Sequence, residues 1–125
     1  MMDALQPDGV ARPDFPFSPV VVSGDLVYTA GQVATDASGR IVSDEIEAQC
    51  RRVLDNVRAC LHAAGCGLSD VIKVSAFLTD LDNFEVFNAV YRDYFAEPYP
   101  ARTTVGAALA PGFLVEVDVV ARRPG

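Results

Sequence analysis

Hydrophobic positions change period several times along this chain, and each change predicts an element. Residues 1–16 hold three prolines and no period, so they read as an extended arm. Phe17 to Val22 and Asp25 to Gly31 are β-rich runs separated by Ser23-Gly24, a hairpin signal. Asp36-Ala37-Ser38-Gly39 is a second turn. From Ser43 the period lengthens. Ile46, Cys50, Val53, Leu54, Val57, Leu61 and Ala64 recur at three- and four-residue steps, which predicts a helix with one apolar face. Ser43 suits its N-cap and Gly65 the position just past its end.

Val71 to Thr79 returns to alternation, with Ile72, Val74, Ala76 and Leu78 on one face and Val71, Lys73, Ser75 and Phe77 on the other. Asp80 to Ala96 predicts a second helix. Its aromatic stripe of Phe84, Phe87, Tyr91, Tyr94 and Phe95 reads as core, and Pro98 and Pro100 end it. Ala101 to Leu109 and Phe113 to Arg122 are two more strands, and Ala110-Pro111-Gly112 suits a hairpin loop between them. The order is ββ-α-β-α-ββ, an α+β domain over residues 1–125 with both helices on one face of the sheet.

Composition adds one puzzle. Half of the residues are apolar, a high share for a 125-residue chain with much surface to solvate. Either the core is rich in small residues or part of the surface is buried against another chain. The net charge of −7 disfavours nucleic acid as the main partner, because phosphate neutralisation needs Lys and Arg. No apolar run approaches the ~20 residues that span a bilayer, and the acidic N-terminus does not read as a secretory signal. Cys50, Cys60 and Cys66 lack metal-site spacing, and the lone His62 supplies no second imidazole. No metal is expected, and free cysteines fit a reducing, cytoplasmic setting.

The last strand carries the candidate chemistry. Val115, Val117 and Val119 alternate with Glu116 and Asp118. A hairpin centred on Pro111 would set Thr104 opposite Asp118 and Gly106 opposite Glu116, so that Arg102, Thr104, Glu116 and Asp118 line one face. Such an Arg is either a structural ion pair, worth ~0–1 kcal/mol, or an anion site whose guanidinium forks a carboxylate. Glu116 would then serve as a general acid or base, directly or through water. Asn88, a poor helix former inside the second helix, is a further polar candidate.

Several blocks in order resemble the Rid (YjgF-type) family, the reactive intermediate deaminases. They are Thr29-Ala30-Gly31-Gln32, Glu47-Ala48-Gln49 with Val53-Leu54-Asp55-Asn56-Val57, and Ala63-Ala64-Gly65. Asp70-Val71-Ile72-Lys73-Val74, Leu78-Thr79-Asp80 and Phe87-Asn88-Ala89-Val90-Tyr91 follow, then Pro100-Ala101-Arg102-Thr103-Thr104-Val105 and Leu114-Val115-Glu116-Val117. The resemblance implies a chorismate-mutase-like fold, a homotrimer with clefts between subunits, and hydrolysis of 2-imino acids or their enamine tautomers to 2-keto acids and ammonia without a cofactor. It assigns the carboxylate-binding arginine to Arg102, the acid acting through water to Glu116, and the cleft asparagine to Asn88, with the backbone at Gly31 also at the site. The best-studied subgroup has Tyr where this chain has Phe17, Ser where it has Ala30, and Cys where it has Thr104. Phe17 and Ala30 each remove a hydroxyl and leave a drier pocket. Two alternatives therefore stand beside the deaminase: a trimer that binds small carboxylates without turnover, and a paralogue acting on another catabolic imine. A ribonuclease or translation-inhibitor role, also attached to the family, is disfavoured by the charge.

Overall fold

The computed structural model describes residues 2–125. Six strands form one mixed sheet: β1 (Asp3–Leu5), β2 (Val20–Ser23), β3 (Leu26–Thr29), β4 (Val71–Leu78), β5 (Ala101–Gly106) and β6 (Val115–Arg122). Their spatial order is β1-β2-β3-β6-β4-β5. Helices α1 (Ile46–Ala63) and α2 (Phe84–Tyr94) cover one face. The α+β class and both helices are as the alternation and the longer period predict. The terminal arm is less loose than expected, since Asp3–Leu5 pairs antiparallel with β2.

Three local expectations are corrected. α1 begins at Ile46, and Ser43 does not cap it; the Ser43 hydroxyl instead accepts the Glu45 N–H at 3.0 Å in the preceding turn. Its far end behaves as expected. Gly65 has φ 78°, and the N–H groups of Gly65 and Cys66 return to the His62 and Leu61 carbonyls, which closes the helix with a left-handed residue. In β4 a register shift between Val71 and Lys73 reverses the start of the strand, so Val71 is buried and Ile72 lies outside. At α2 the predicted start, Asp80, caps a single 3-10 turn (Leu81–Asn83) by accepting the Asp82 N–H, and the α-helix follows at Phe84.

The largest correction concerns the last two strands. β5 and β6 are not a hairpin, because β4 lies between them. β5 runs parallel to β4, with Val74 beside Arg102 and Ala76 beside Thr104. β6 runs antiparallel to β4, with Ser75 beside Asp118 and Phe77 beside Glu116. The physical reason is the unit β4-α2-β5. A helix between two strands returns the chain in the original direction, so the strands pair in parallel. That leaves β5 as the free edge and β6 in the centre.

The core lies between sheet and helices. Val74, Ala76, Leu78, Val115, Val117 and Val119 face Val53, Leu54, Val57, Leu61 and Phe87, all essentially solvent-free. Each such side chain contributes roughly 1.5–3 kcal/mol by leaving water. Among the described residues no helix covers the opposite face. It carries Tyr28, Val120, Lys73, Ser75, Phe77, Thr103, Val105, Glu116 and Asp118 as exposed or half-buried residues. No helix among the described residues is long and apolar enough to cross a membrane.

Candidate functional site

Alternation along paired strands decides where the candidate residues stand. Arg102 and Thr104 share a face with Val74, Ala76, Val117 and Val119, the side covered by helices. Glu116 and Asp118 share the open face with Phe77 and Ser75. The expected grouping of Arg102, Thr104, Glu116 and Asp118 on one face is therefore overturned. One chain holds two separate half-sites.

The first half-site is built around Arg102. Its position on the edge strand brings the guanidinium over α2, where it donates to the Asn88 side-chain oxygen at 2.7 Å. Its carbon lies 4.6 Å from the Tyr91 ring centre, 5.3 Å from Phe87 and 5.7 Å from Phe84, so three aromatic faces form its seat. Among the described residues no carboxylate lies within salt-bridge distance of Arg102. The structural ion-pair reading is thus excluded within the chain, and the guanidinium keeps donors free for an external anion. Asn88, Tyr91, Arg92, Tyr99, Pro100 and Arg102 line a cavity of about 260 Å³. Two buried hydroxyls on this side, those of Tyr91 and Thr104, have no hydrogen-bond partner. Burial pushes the Tyr91 phenol up to about 12, so it stays protonated at neutral pH.

The second half-site lies on the open face. Gly31 stands directly against the Glu116 carboxylate, where a Cβ would overlap it. The contact is held by a short bridge beyond the end of β3. The Gln32 N–H donates to the Val117 carbonyl at 2.8 Å, and the Val117 N–H returns to Gln32 at 3.1 Å. Ala30 is half-buried and its N–H is bound to the Pro19 carbonyl. Phe17 and Gly31 both border a second cavity, about 220 Å³, with Val10, Pro13, Phe15 and Gln32. Burial, with the Asp118 charge adding, pushes the Glu116 carboxyl above its ordinary range. Burial does the same to Asp118.

So the structure brings Arg102 together with Asn88, with Thr104 on the same face, and brings Glu116 together with Gly31, near Phe17 and Ala30. It does not bring the two sets together within one chain. The sequence reading assigned the aromatic stripe to the core alone, whereas Phe84, Phe87 and Tyr91 also seat Arg102. The signal was available: these residues and Asn88 share the same three- and four-residue spacing. It also gave no role to Gln49 and Asn56, two amides on the apolar face of α1 that prove buried. Among the described residues no cluster of His, Cys, Asp or Glu is placed to hold a metal.

The geometry is that of a small helix-backed sheet with an anion-seeking arginine at its free edge. By sequence the chain belongs to the Endoribonuclease L-PSP family, the Rid or YjgF family, whose sequence model matches residues 10–123. It is 37% identical over 125 residues to a RutC family protein of Pyrococcus horikoshii, covering 98% of this chain and 99% of that protein. It is 35% identical to the 2-iminobutanoate/2-iminopropanoate deaminase of Salmonella typhimurium, covering 86% of this chain and 88% of the relative. Among solved structures, Escherichia coli TdcF with bound serine superposes with a TM-score of 0.90 at 31% identity, covering 98% and 99% of the two chains.

Proposed function

We propose that this protein hydrolyses reactive 2-imino acids and their enamine tautomers to 2-keto acids and ammonia. The observation that carries the reading is the Arg102 guanidinium, fixed on aromatic faces and by Asn88, without a carboxylate of its own, at the mouth of a cavity. A relative named as a deaminase of this kind and a relative that binds serine, an α-amino acid with a carboxylate, support it.

Arg102 takes the substrate carboxylate, which orients the adjacent C=N carbon. Glu116, whose carboxyl holds its proton above the ordinary range, protonates the imine nitrogen toward the iminium, directly or through water. Water adds to the carbon and gives a proton back to the Glu116 carboxylate; that proton passes to the carbinolamine nitrogen, ammonia leaves, and the hydroxyl proton returns to Glu116 as the C=O of the keto acid forms. Imines already hydrolyse in water, so each tenfold acceleration asks only ~1.4 kcal/mol of barrier.

Because Arg102 and Glu116 lie on opposite faces of the sheet, the working cleft joins Arg102 of one subunit to Glu116 of a neighbour. We assign that assembly to a homotrimer. The uncovered sheet face and the free β5 edge support it, and burying that face accounts for the high apolar content. Thr104, Ala30, Gly31 and Phe17 complete the cleft wall in this reading.

The test generates imines with an amino-acid oxidase and follows their capture by semicarbazide. The protein is expected to suppress capture and speed keto-acid formation. Unchanged capture across several amino acids, with 2-keto acids still bound in calorimetry, would replace the deaminase by a carboxylate-binding module.

A further inference from the structure

Helix α1 supplies none of the candidate residues of either half-site, yet it carries two buried carboxamides that are seven residues apart, two turns along the same face. Asn56 donates through its side-chain nitrogen to the Val33 carbonyl at 3.0 Å and the Thr35 carbonyl at 3.1 Å. Those carbonyls belong to the segment just after Gly31 and Gln32. Gln49 donates to the Gly112 carbonyl at 2.8 Å and the Ser43 carbonyl at 2.8 Å, and accepts the Leu114 N–H at 2.9 Å. Leu114 is two residues before Glu116.

A buried amide with this many partners is costly to place unless every bond is made. Here four of the five bonds go to the two irregular segments that flank one carboxylate, and the fifth goes to Ser43. Residues 30–35 supply the Gly31 backbone that Glu116 lies against, and residues 112–114 lead directly into its strand. Neither segment lies in the regular sheet; their contact with it includes the single Gln32–Val117 bridge and the bond from the Thr79 N–H to the Leu114 carbonyl. Among the described residues, Arg102, on the β5 edge, shares no hydrogen bond with either carboxamide.

We propose that Asn56 and Gln49 are positioning residues that set the Glu116 carboxyl against Gly31 and out of water. The inference rests on the deaminase reading above. It divides the molecule into a proton-transfer half governed from α1 and a carboxylate-binding half governed from α2.

The experiment compares Asn56→Ala with the full-length wild type on one oxidase-generated imine across a pH series, at a temperature where both are folded. Removing the two bonds frees the 31–35 segment and lets water reach Glu116. The expected result is a five- to tenfold fall in kcat with KM changed less than twofold. The alkaline limb of the kcat profile should move to lower pH as the carboxyl returns toward its ordinary value. Calorimetric binding of a 2-keto acid should stay as in wild type. Should Asn56→Ala not fold, Gln49→Met, close in shape but without the three polar bonds, is read the same way. A variant that folds with unchanged kcat and pH profile overturns the proposal. So does one whose kcat loss matches only its loss of folded fraction, with no movement of the limb. A wild type that neither turns over imines nor binds keto acids instead defeats the deaminase reading itself.

Discussion

The two half-sites are built on different principles. Around Arg102 a permanent charge is held half-buried by aromatic faces and one asparagine, and among the described residues no carboxylate pairs with it. Around Glu116 a titratable carboxyl lies against the Gly31 backbone, with no salt bridge among the described residues, and burial pushes it above its ordinary range. The first region suits capture of an anion; the second suits moving a proton. They sit on opposite faces of one sheet, so the proposed reaction needs the two regions to meet across subunits.

The largest break comes at the anion side. Arg102→Ala should lower kcat/KM by at least about 100-fold, equivalent to ~2.7 kcal/mol, and abolish keto-acid binding in calorimetry. Arg102→Lys should restore little, because a point charge cannot replace the fork. Next comes the proton side. Glu116→Gln should cut kcat roughly 100-fold, the lower end of the usual range for a lost general acid or base, while leaving keto-acid affinity near wild type. Gly31→Ala should act as a milder version. Its Cβ overlaps the Glu116 carboxylate, so the carboxyl moves and kcat falls about tenfold, ~1.4 kcal/mol, with KM little changed.

The smallest effect is on stability. Burial raises Asp118 above its ordinary 3.8, so the folded chain holds that proton more tightly than the unfolded one. Fewer protons bound by the unfolded state means that stability falls as pH rises through the window above 3.8, and the penalty persists at higher pH. Asp118→Asn should therefore raise Tm slightly at neutral pH and leave it unchanged in acid, near pH 3, where both states are protonated. Thermal unfolding at the two pH values checks the sign.

Much of the fold was legible because period and burial agree. The apolar face of α1 and the inward Val115, Val117 and Val119 lie where alternation put them. Strand pairing was not legible from Ala110-Pro111-Gly112, which looks like a hairpin loop but joins the edge strand to a central one. The order β4-α2-β5 held the better signal, since a helical crossover favours parallel neighbours. The error mattered for the site: it put Arg102 and Glu116 on one face. The bulge that turns Val71 inward and Ile72 outward is similarly invisible to alternation, because one inserted residue shifts the pattern without changing its composition. Arg102 meets Asn88 and Glu116 meets Gly31, but the two pairs stand on opposite faces of the sheet. Gln49 and Asn56 stood out only as polar residues on an apolar stripe, a pattern that marks burial but not its purpose.

The central claim is that Arg102 and Glu116 act together only across subunits. Arg102→Ala and Glu116→Gln chains, each folded and each strongly impaired, can be mixed, dissociated and reassembled, and imine hydrolysis then measured. A shared cleft predicts recovery of roughly a quarter of wild-type activity at equal mixing, because random assembly puts an intact Arg102 beside an intact Glu116 at about one cleft in four. A reassembled mixture as inactive as either parent would contradict it.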